Sequence, residues 1–408
     1  MTVAAKPGEA RRRGAASRWV AVPALVAALF AALTPVAAAA PSDGCPGQQA
    51  PPPPYSAEES PAPAALPVPE DPVGGARLGT CGDLVTGGRS VPSTVGSASF
   101  VLADLDTGEV LAVRAPHARH RPASTIKVLT ALVAVDGLDP DRIVEGTAED
   151  AGIEGSRAGI GPGGRYTVRQ LLAGLLLDSG NDTAAALARA LGGEAVTVAA
   201  MSEAAAALGA LDTRPATPSG LDGPGAASSA YDLALLFRAA LRDPLLAQTI
   251  RTTSIPFPGN DAQPGFVLSN SSTFLARYPG ALGGKTGFTD AARQTFVGAA
   301  AQDGRRLVVA MMRGERRPVS MTKQAAALLD LGFALPPGAE PLGVLVDPAP
   351  AVATPTRAPG TAQTSGVAQA PGMAQAPPTG LPAPVGGVLL VGVLVFAGAV
   401  AFGLVRHR

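Results

Sequence analysis

Pro122-Ala123-Ser124-Thr125-Ile126-Lys127-Val128, followed by the apolar residues 129–135, is the stretch on which the reading of this chain turns. The run's length and its Ala/Leu/Val content predict a helix, with Ser124 in its first turn and Lys127 one turn on, on the same face. A hydroxyl and an amine then meet over the positive end of a helix. That end favours negative charge on the serine oxygen and on a nearby oxyanion. This is a design for a serine nucleophile with a lysine base.

A lone Ser-x-x-Lys arises by chance on surface helices, so the rest of the chain has to narrow it. Only four lysines occur, Lys6, Lys127, Lys285 and Lys323, and arginine supplies the other 28 of the 32 basic residues. Arginine keeps its proton in a protein, whereas a buried lysine can lose it and act as a base. A chain that writes arginine almost everywhere, yet lysine at two serine- or glycine-flanked apolar places, needs an amine there.

The chain has 408 residues and zero net charge, and its 40 prolines cluster toward the two ends. The middle, 92–335, is free of low complexity and long enough for one large domain. The absence of a basic stripe argues against a nucleic-acid partner. Arg11, Arg12, Arg13 and Arg18 precede an apolar run, and Val36-Ala37-Ala38-Ala39-Ala40 offers small residues for cleavage, so 1–40 reads as a secretory signal. Residues 41–91 form a proline-rich extracytoplasmic leader and 336–384 a Pro/Ala-rich stalk. Residues 385–405 are free of charge and long enough to span a bilayer, with 406–408 as a basic cytoplasmic tail. The expected location is therefore the cell membrane, crossed once, with the middle of the chain outside. Ala376-Pro377-Pro378-Thr379-Gly380 ahead of that span is similar to a sortase signal with alanine in place of leucine, which leaves a processed terminus as an alternative. Cys45 and Cys81 are the only cysteines, and in an exported chain they are read as one structural disulfide.

Within the middle, residues 100–105 and 110–113 read as a hairpin across Asp106-Thr107-Gly108. Residues 117–121 read as a solvated loop, because His117 and His120 have too few companions to hold a metal. Helices are predicted over 168–177 with Thr167 as cap, 183–191, 195–208 and 230–241. Asp178-Ser179-Gly180-Asn181-Asp182 breaks the first two apart. Its bland reading is a helix cap by Asn181 or Asp182. Past Pro256 the composition returns to strand and turn. Leu282-Gly283-Gly284-Lys285-Thr286-Gly287-Phe288 lacks the spacer of a phosphate loop, so no nucleotide cofactor is expected. A second hairpin over 295–301 and 307–312 and a closing helix over 320–331 complete an α+β domain whose sheet joins its two ends.

Ser124-x-x-Lys127, Ser179-x-Asn181 and Lys285-Thr286-Gly287 follow one another with 55 and 106 residues between their first members. This order resembles the penicillin-binding and serine β-lactamase superfamily. With Arg121-Pro122-Ala123 ahead of Ser124, residues 171–185 (LLAGLLLDSGNDTAA), Pro218-Ser219-Gly220-Leu221-Asp222 and residues 283–289 (GGKTGFT), the chain is similar to the low-molecular-mass D-alanyl-D-alanine carboxypeptidases over about 98–334. The resemblance implies a β-lactamase/transpeptidase-like fold, an antiparallel sheet flanked by helices plus an all-helical subdomain. It implies no metal and no cofactor, a peptidoglycan stem peptide as substrate and β-lactam antibiotics as inhibitors.

It also assigns roles. Ser124 would attack the carbonyl of the penultimate D-alanine while Lys127 takes its proton and Ser179 relays one to the leaving amine. Asn181 would orient Lys127 and the substrate amide, and Lys285, still protonated, would supply positive potential. Thr286 would hold the terminal carboxylate, joined by one of Arg313, Arg316 and Arg317. Gly287 would leave room for the substrate along its strand. The backbone N–H groups of Ser124 and Phe288 would form the oxyanion hole. A β-lactamase of the same fold is an alternative, but its usual Glu-x-x-x-Asn base is missing: four residues before Asn181, Asn260 and Asn270 stand Leu177, Pro256 and Phe266. A D,D-endopeptidase needs the same residues and remains a second alternative.

Overall fold

Three strands open the folded part of the chain: β1 (Asp83–Val85), β2 (Ser99–Asp104) and β3 (Glu109–Arg114). The computed structural model describes residues 61 and 63–347; the expected signal, the first part of the leader, most of the stalk, and the C-terminal apolar segment and tail lie outside the described residues. The hairpin of β2 and β3 turns at Gly108, which has φ +80°, and Asp104 Oδ1 accepts the N–H groups of Asp106 and Thr107 there. Phe100 and Leu102 face one side of β2 and Val101 and Ala103 the other, and all four are fully buried. A sheet covered on both faces reads in sequence as a plain apolar run.

The helical part follows. It contains α1 (Lys127–Gly137), β4 (Ile143–Glu145), α2 (Ala148–Gly152), β5 (Arg165–Thr167), α3 (Val168–Leu177), α4 (Asn181–Ala190), α5 (Glu194–Ala207), α6 (Ala230–Arg242) and α7 (Pro244–Arg251). α1 is buried nearly all round, as an apolar helix without a polar face must be. Thr167 caps α3 as expected, and Gln170 returns the bond in a capping box. The helical subdomain is not all helix: β4 pairs with β5, and β6 (Ser254–Phe257) pairs with β7 (Phe266–Ser269).

After the five-residue α8 (Thr273–Arg277) come β8 (Ala281–Thr289), β9 (Arg293–Gln302) and β10 (Arg305–Gly314), then α9 (Met321–Phe333) and β11 (Gly343–Val344). The main sheet runs β1-β3-β2-β10-β9-β8, antiparallel throughout, with β11 also on β3. One face packs on α6, against which α1 lies in turn, and the other on α9. The sheet therefore joins the two ends of the domain, and β8 is left as its edge. The sequence boundaries at 92 and 335 are too narrow, since β1 and β11 both belong to this sheet.

Residues 117–121 are not a solvated loop. His117, Arg119 and Arg121 are all buried. Arg119 donates to Asp212 Oδ1 (2.9 Å) and to the carbonyls of Leu66 (2.6 Å) and Pro67 (2.8 Å). His117 pairs with Asp212 through Nδ1 at 2.8 Å and reaches Val73 O with Nε2 at 3.1 Å. Burial opposes charge on His117, but the Asp212 carboxylate outweighs it and raises the pKa. His117, Asp212 and Asp232 stand as close as metal ligands would. Here the Arg119 guanidinium already supplies the positive charge, and the group ties residues 66–73 onto the segment that leads to Ser124.

Candidate active site

The nucleophile segment is held in a strained turn. Ala123 has φ +48°, a left-handed conformation costly for a side chain larger than glycine's. Two hydroxyls fasten its approach: Thr125 Oγ1 (2.6 Å) and Thr295 Oγ1 (2.8 Å) both donate to Pro122 O. Residues Ala123–Ile126 form a 3₁₀ turn and Lys127 begins α1, so Ser124 stands just before the α-helix rather than within its first turn. Gly220 presses on the same turn, where a Cβ would lie 2.1 Å from Ala123 O.

Lys127 is completely buried, and its Nζ lies within hydrogen-bond distance of Ser124 Oγ (2.9 Å), Asn181 Oδ1 (2.7 Å) and Ser219 O (2.5 Å). Burial pushes its pKa well below 10.5, and the nearby charge of Lys285 pushes the same way against a smaller opposing pull from Asp182. The neutral amine carries two N–H bonds and one lone pair. With the two N–H bonds spent on Asn181 and Ser219, the lone pair is aimed at the Ser124 hydroxyl. The Ser219 carbonyl is a backbone atom, invisible in a residue pattern.

Neither Asn181 nor Asp182 caps α4; the N-cap is Gly180, without a side-chain bond. Asn181 turns inward, with Nδ2 donating to Glu154 O (2.6 Å) while Oδ1 holds Lys127. Asp182, fully buried, accepts the N–H groups of Ala158 (2.9 Å), Gly159 (2.8 Å) and Ile160 (3.1 Å). It fastens the loop that walls the cleft.

Ser179 has φ +61°, and its Oγ accepts from Lys285 Nζ at 2.8 Å; Lys285 also donates to Thr286 O at 2.9 Å. Burial pushes the Lys285 pKa down to about 7, partly offset by Asp178. This qualifies the expectation of a protonated lysine: with no ligand bound, Lys285 is charged below about pH 7 and loses that charge as pH rises through it. Activity on an anionic substrate should follow. kcat/KM is expected to fall above about pH 7, and Lys285→Arg, which cannot deprotonate, should remove that alkaline limb whatever its overall rate. A limb at the same pH in the arginine variant would show that another group sets it.

β8 pairs with β9 on one side only, which leaves the other edge of its backbone for an extended peptide. A cleft of about 510 Å³ lies there, lined by Ser124, Ser179, Thr286, Gly287, Phe288 and Arg316 among others. Gly287 lines the cleft, and its missing Cβ also permits a close contact within the protein. A Cβ there would come within 2.4 Å of Thr295 Oγ1, 2.8 Å of Ser124 N and 3.0 Å of Thr125 N. The glycine lets β8 touch the nucleophile's backbone, which brings Phe288 beside Ser124. Gly287→Ala should force the two apart and slow acylation by about 100-fold. The second-order rate with benzylpenicillin measures this, and an unchanged rate would dissociate strand contact from reactivity.

A profile described as D-alanyl-D-alanine carboxypeptidase, peptidase S11, matches residues 87–316, more than half of the chain. The chain belongs to this D-alanyl-D-alanine carboxypeptidase family. It is similar to the carboxypeptidase DacB2 of Mycobacterium tuberculosis, 53% identical over 255 residues that make up 61% of this chain and 87% of that protein. A crystal structure of a D-alanyl-D-alanine carboxypeptidase from Mycobacterium tuberculosis shares 50% identity at a TM-score of 0.61, over 64% of this chain and 99% of that one. The Streptomyces K15 DD-transpeptidase shares 26% identity at a TM-score of 0.57, over 60% and 100%.

Of the three arginines expected near a carboxypeptidase substrate's terminal carboxylate, only Arg316 lines the cleft, with its guanidinium 6.0 Å from the centre of the Phe288 ring. Arg313 donates to Ala291 O at 3.4 Å, and Arg317 is exposed outside the lining. A second network joins two of the family-like segments: Asp222 accepts from Arg121 Nη1 (3.4 Å) and from Thr289 Oγ1 (3.1 Å). Cys81 is disulfide-bonded, and the only other cysteine in the chain, Cys45, lies outside the described residues.

Proposed function

We propose that this serine D,D-carboxypeptidase removes the terminal D-alanine of peptidoglycan stem pentapeptides through an acyl-enzyme on Ser124. The observation that carries the residue assignment is the buried Lys127 amine, bonded at 2.9 Å to Ser124 and aimed by two fixed acceptors. Lys127 takes the Ser124 proton as Oγ attacks the penultimate carbonyl. The N–H groups of Ser124 and Phe288 receive the developing oxyanion, each worth roughly 3 kcal/mol. Ser179, hydrogen-bonded to Lys285, returns a proton to the departing D-alanine amine. Thr286 and Arg316 hold its carboxylate, and Lys285 behind them supplies positive potential. Binding that carboxylate favours the charged form of Lys285, so the substrate restores the charge that burial weakens. Water activated by Lys127 then hydrolyses the ester.

The same geometry supports inhibition by penicillin. Asn260 and Asn270 are bound to Gly159 O and Thr252 O, away from the cleft lining, and no glutamate is among the described residues that line it, which supports slow rather than rapid loss of a penicilloyl ester. Incubation with a pentapeptide ending in two D-alanines should release one D-alanine, and penicillin should block it. Cleavage of crosslinked dimers with no release from the monomer would favour the endopeptidase alternative, and rapid nitrocefin turnover the β-lactamase.

We also infer export through the signal at 1–40 and anchoring by the apolar segment 385–405, with the catalytic domain outside the cell. The charge-free run and its basic tail support this reading. Mass spectrometry of the C-terminal peptide from cells distinguishes a retained span from sortase-like cleavage after residue 379.

A further inference from the structure

Two arginines line the cleft that holds Ser124: Arg316 beside Phe288, and Arg157 with Ser156 on the loop fastened by Asp182. Neither is paired with a carboxylate among the described residues, whereas Arg189, Arg238 and Arg293 each hold one. In a chain of zero net charge this makes the cleft electropositive. Asp178 is the only carboxylate in its lining, and burial and the nearby Asp182 weaken its ionisation. The loop under Arg157 is rigid. Asp182 takes three of its N–H groups, Ser156 O accepts from Asn181 N at 2.7 Å, and Arg157 Nε donates to Ile153 O at 3.1 Å. The residues that fix the base Lys127 thus also fix the position of Arg157, and its two terminal nitrogens are left for a ligand.

A peptide ending in D-alanine brings one terminal carboxylate, and Lys285, Thr286 and Arg316 account for it. A second unpaired guanidinium in the same cleft has no partner on the leaving residue. Its anion must come from the acyl part, and a cleft of about 510 Å³ limits that to the residue next to the two D-alanines. We propose that Arg157 binds a free carboxylate on that residue, and so makes the enzyme discriminate a stem peptide bearing it from the same peptide bearing a carboxamide. This rests on the reading of Ser124 as the carboxypeptidase nucleophile. A guanidinium–carboxylate pair at a partly exposed site sets the scale of the effect at about tenfold.

The test uses the full-length chain in detergent and two synthetic pentapeptides ending in two D-alanines. They are identical except that the third residue from the C-terminus carries a carboxylate in one and a carboxamide in the other. The wild-type kcat/KM is expected to be about tenfold higher for the carboxylate, chiefly through KM, with the ratio shrinking as salt is raised. Arg157→Gln should bring the ratio to about one, and labelling by fluorescent penicillin reports that the variant is folded. Arg165→Gln, an exposed change outside the cleft, should keep the wild-type ratio. A wild-type ratio near one, or a ratio that survives in Arg157→Gln, overturns the proposal. Release from both peptides without discrimination sinks Arg157 alone, whereas release from neither sinks the carboxypeptidase reading and this proposal with it.

Discussion

Ser124→Ala is expected to lower D-alanine release by roughly 10⁴- to 10⁶-fold, the scale on which a nucleophile acting with its base is lost. Labelling by fluorescent penicillin should vanish with it. The fold should survive, because Ser124 is partly exposed and is only one of three hydrogen-bond partners of Lys127 Nζ. Lys127→Ala should cost activity on the same scale, and the double variant little more, since the pair works as a unit. It should also cost stability, because Asn181 Oδ1 and Ser219 O would lose their donor in a buried place. Penicillin bound covalently to Ser124→Ala at the wild-type rate would place the nucleophile elsewhere.

The second large effect lies at Asp182, and its size decides between two roles. A helix cap lost to alanine costs about 1 kcal/mol. Asp182 instead takes three N–H groups of the loop at residues 158–160 with no solvent to replace it. Asp182→Ala leaves those donors buried and unpaired, each at about 1–3 kcal/mol, so a loss on the order of 4 kcal/mol is expected in urea unfolding. Acylation should fall as well, because the loop also holds Asn181 through Ser156 O and Glu154 O. Asp182→Asn should recover part of the stability, since its remaining oxygen accepts some of the bonds. A midpoint shifted by only the cap's amount would reduce Asp182 to a local role.

The hairpins and α3 were legible because their signals are local: apolar runs bounded by Asp-Thr-Gly or Asp303-Gly304, and Thr167 ahead of a leucine-rich face. α7 was missed although Asp243-Pro244 carries a cap followed by proline at the first helical position. The buried cluster at 117–121 was misread for a different reason. Histidine and arginine look solvated until their partners are known, and those lie 44 to 95 residues away at Val73, Leu66 and Asp212. Gly287 shows the same limit: its neighbours in sequence suggested an open strand, while the atoms a Cβ there would meet, Thr295 Oγ1 and the backbone nitrogen of Ser124, are distant in sequence. The three motifs could be named from their order, but the aim of the Lys127 lone pair depends on a carbonyl at Ser219 that any residue would present.

The rate of acylation by benzylpenicillin, followed by intact mass from acid to alkaline pH, bears most directly on the buried amine. Lys127 is held far below the ordinary 10.5 by its burial, so the acid limb of that rate should end well before pH 10 and the enzyme should already react at neutrality. A rate that keeps climbing tenfold per pH unit to pH 10 would mean that Lys127 stays charged until then and is not the base that activates Ser124.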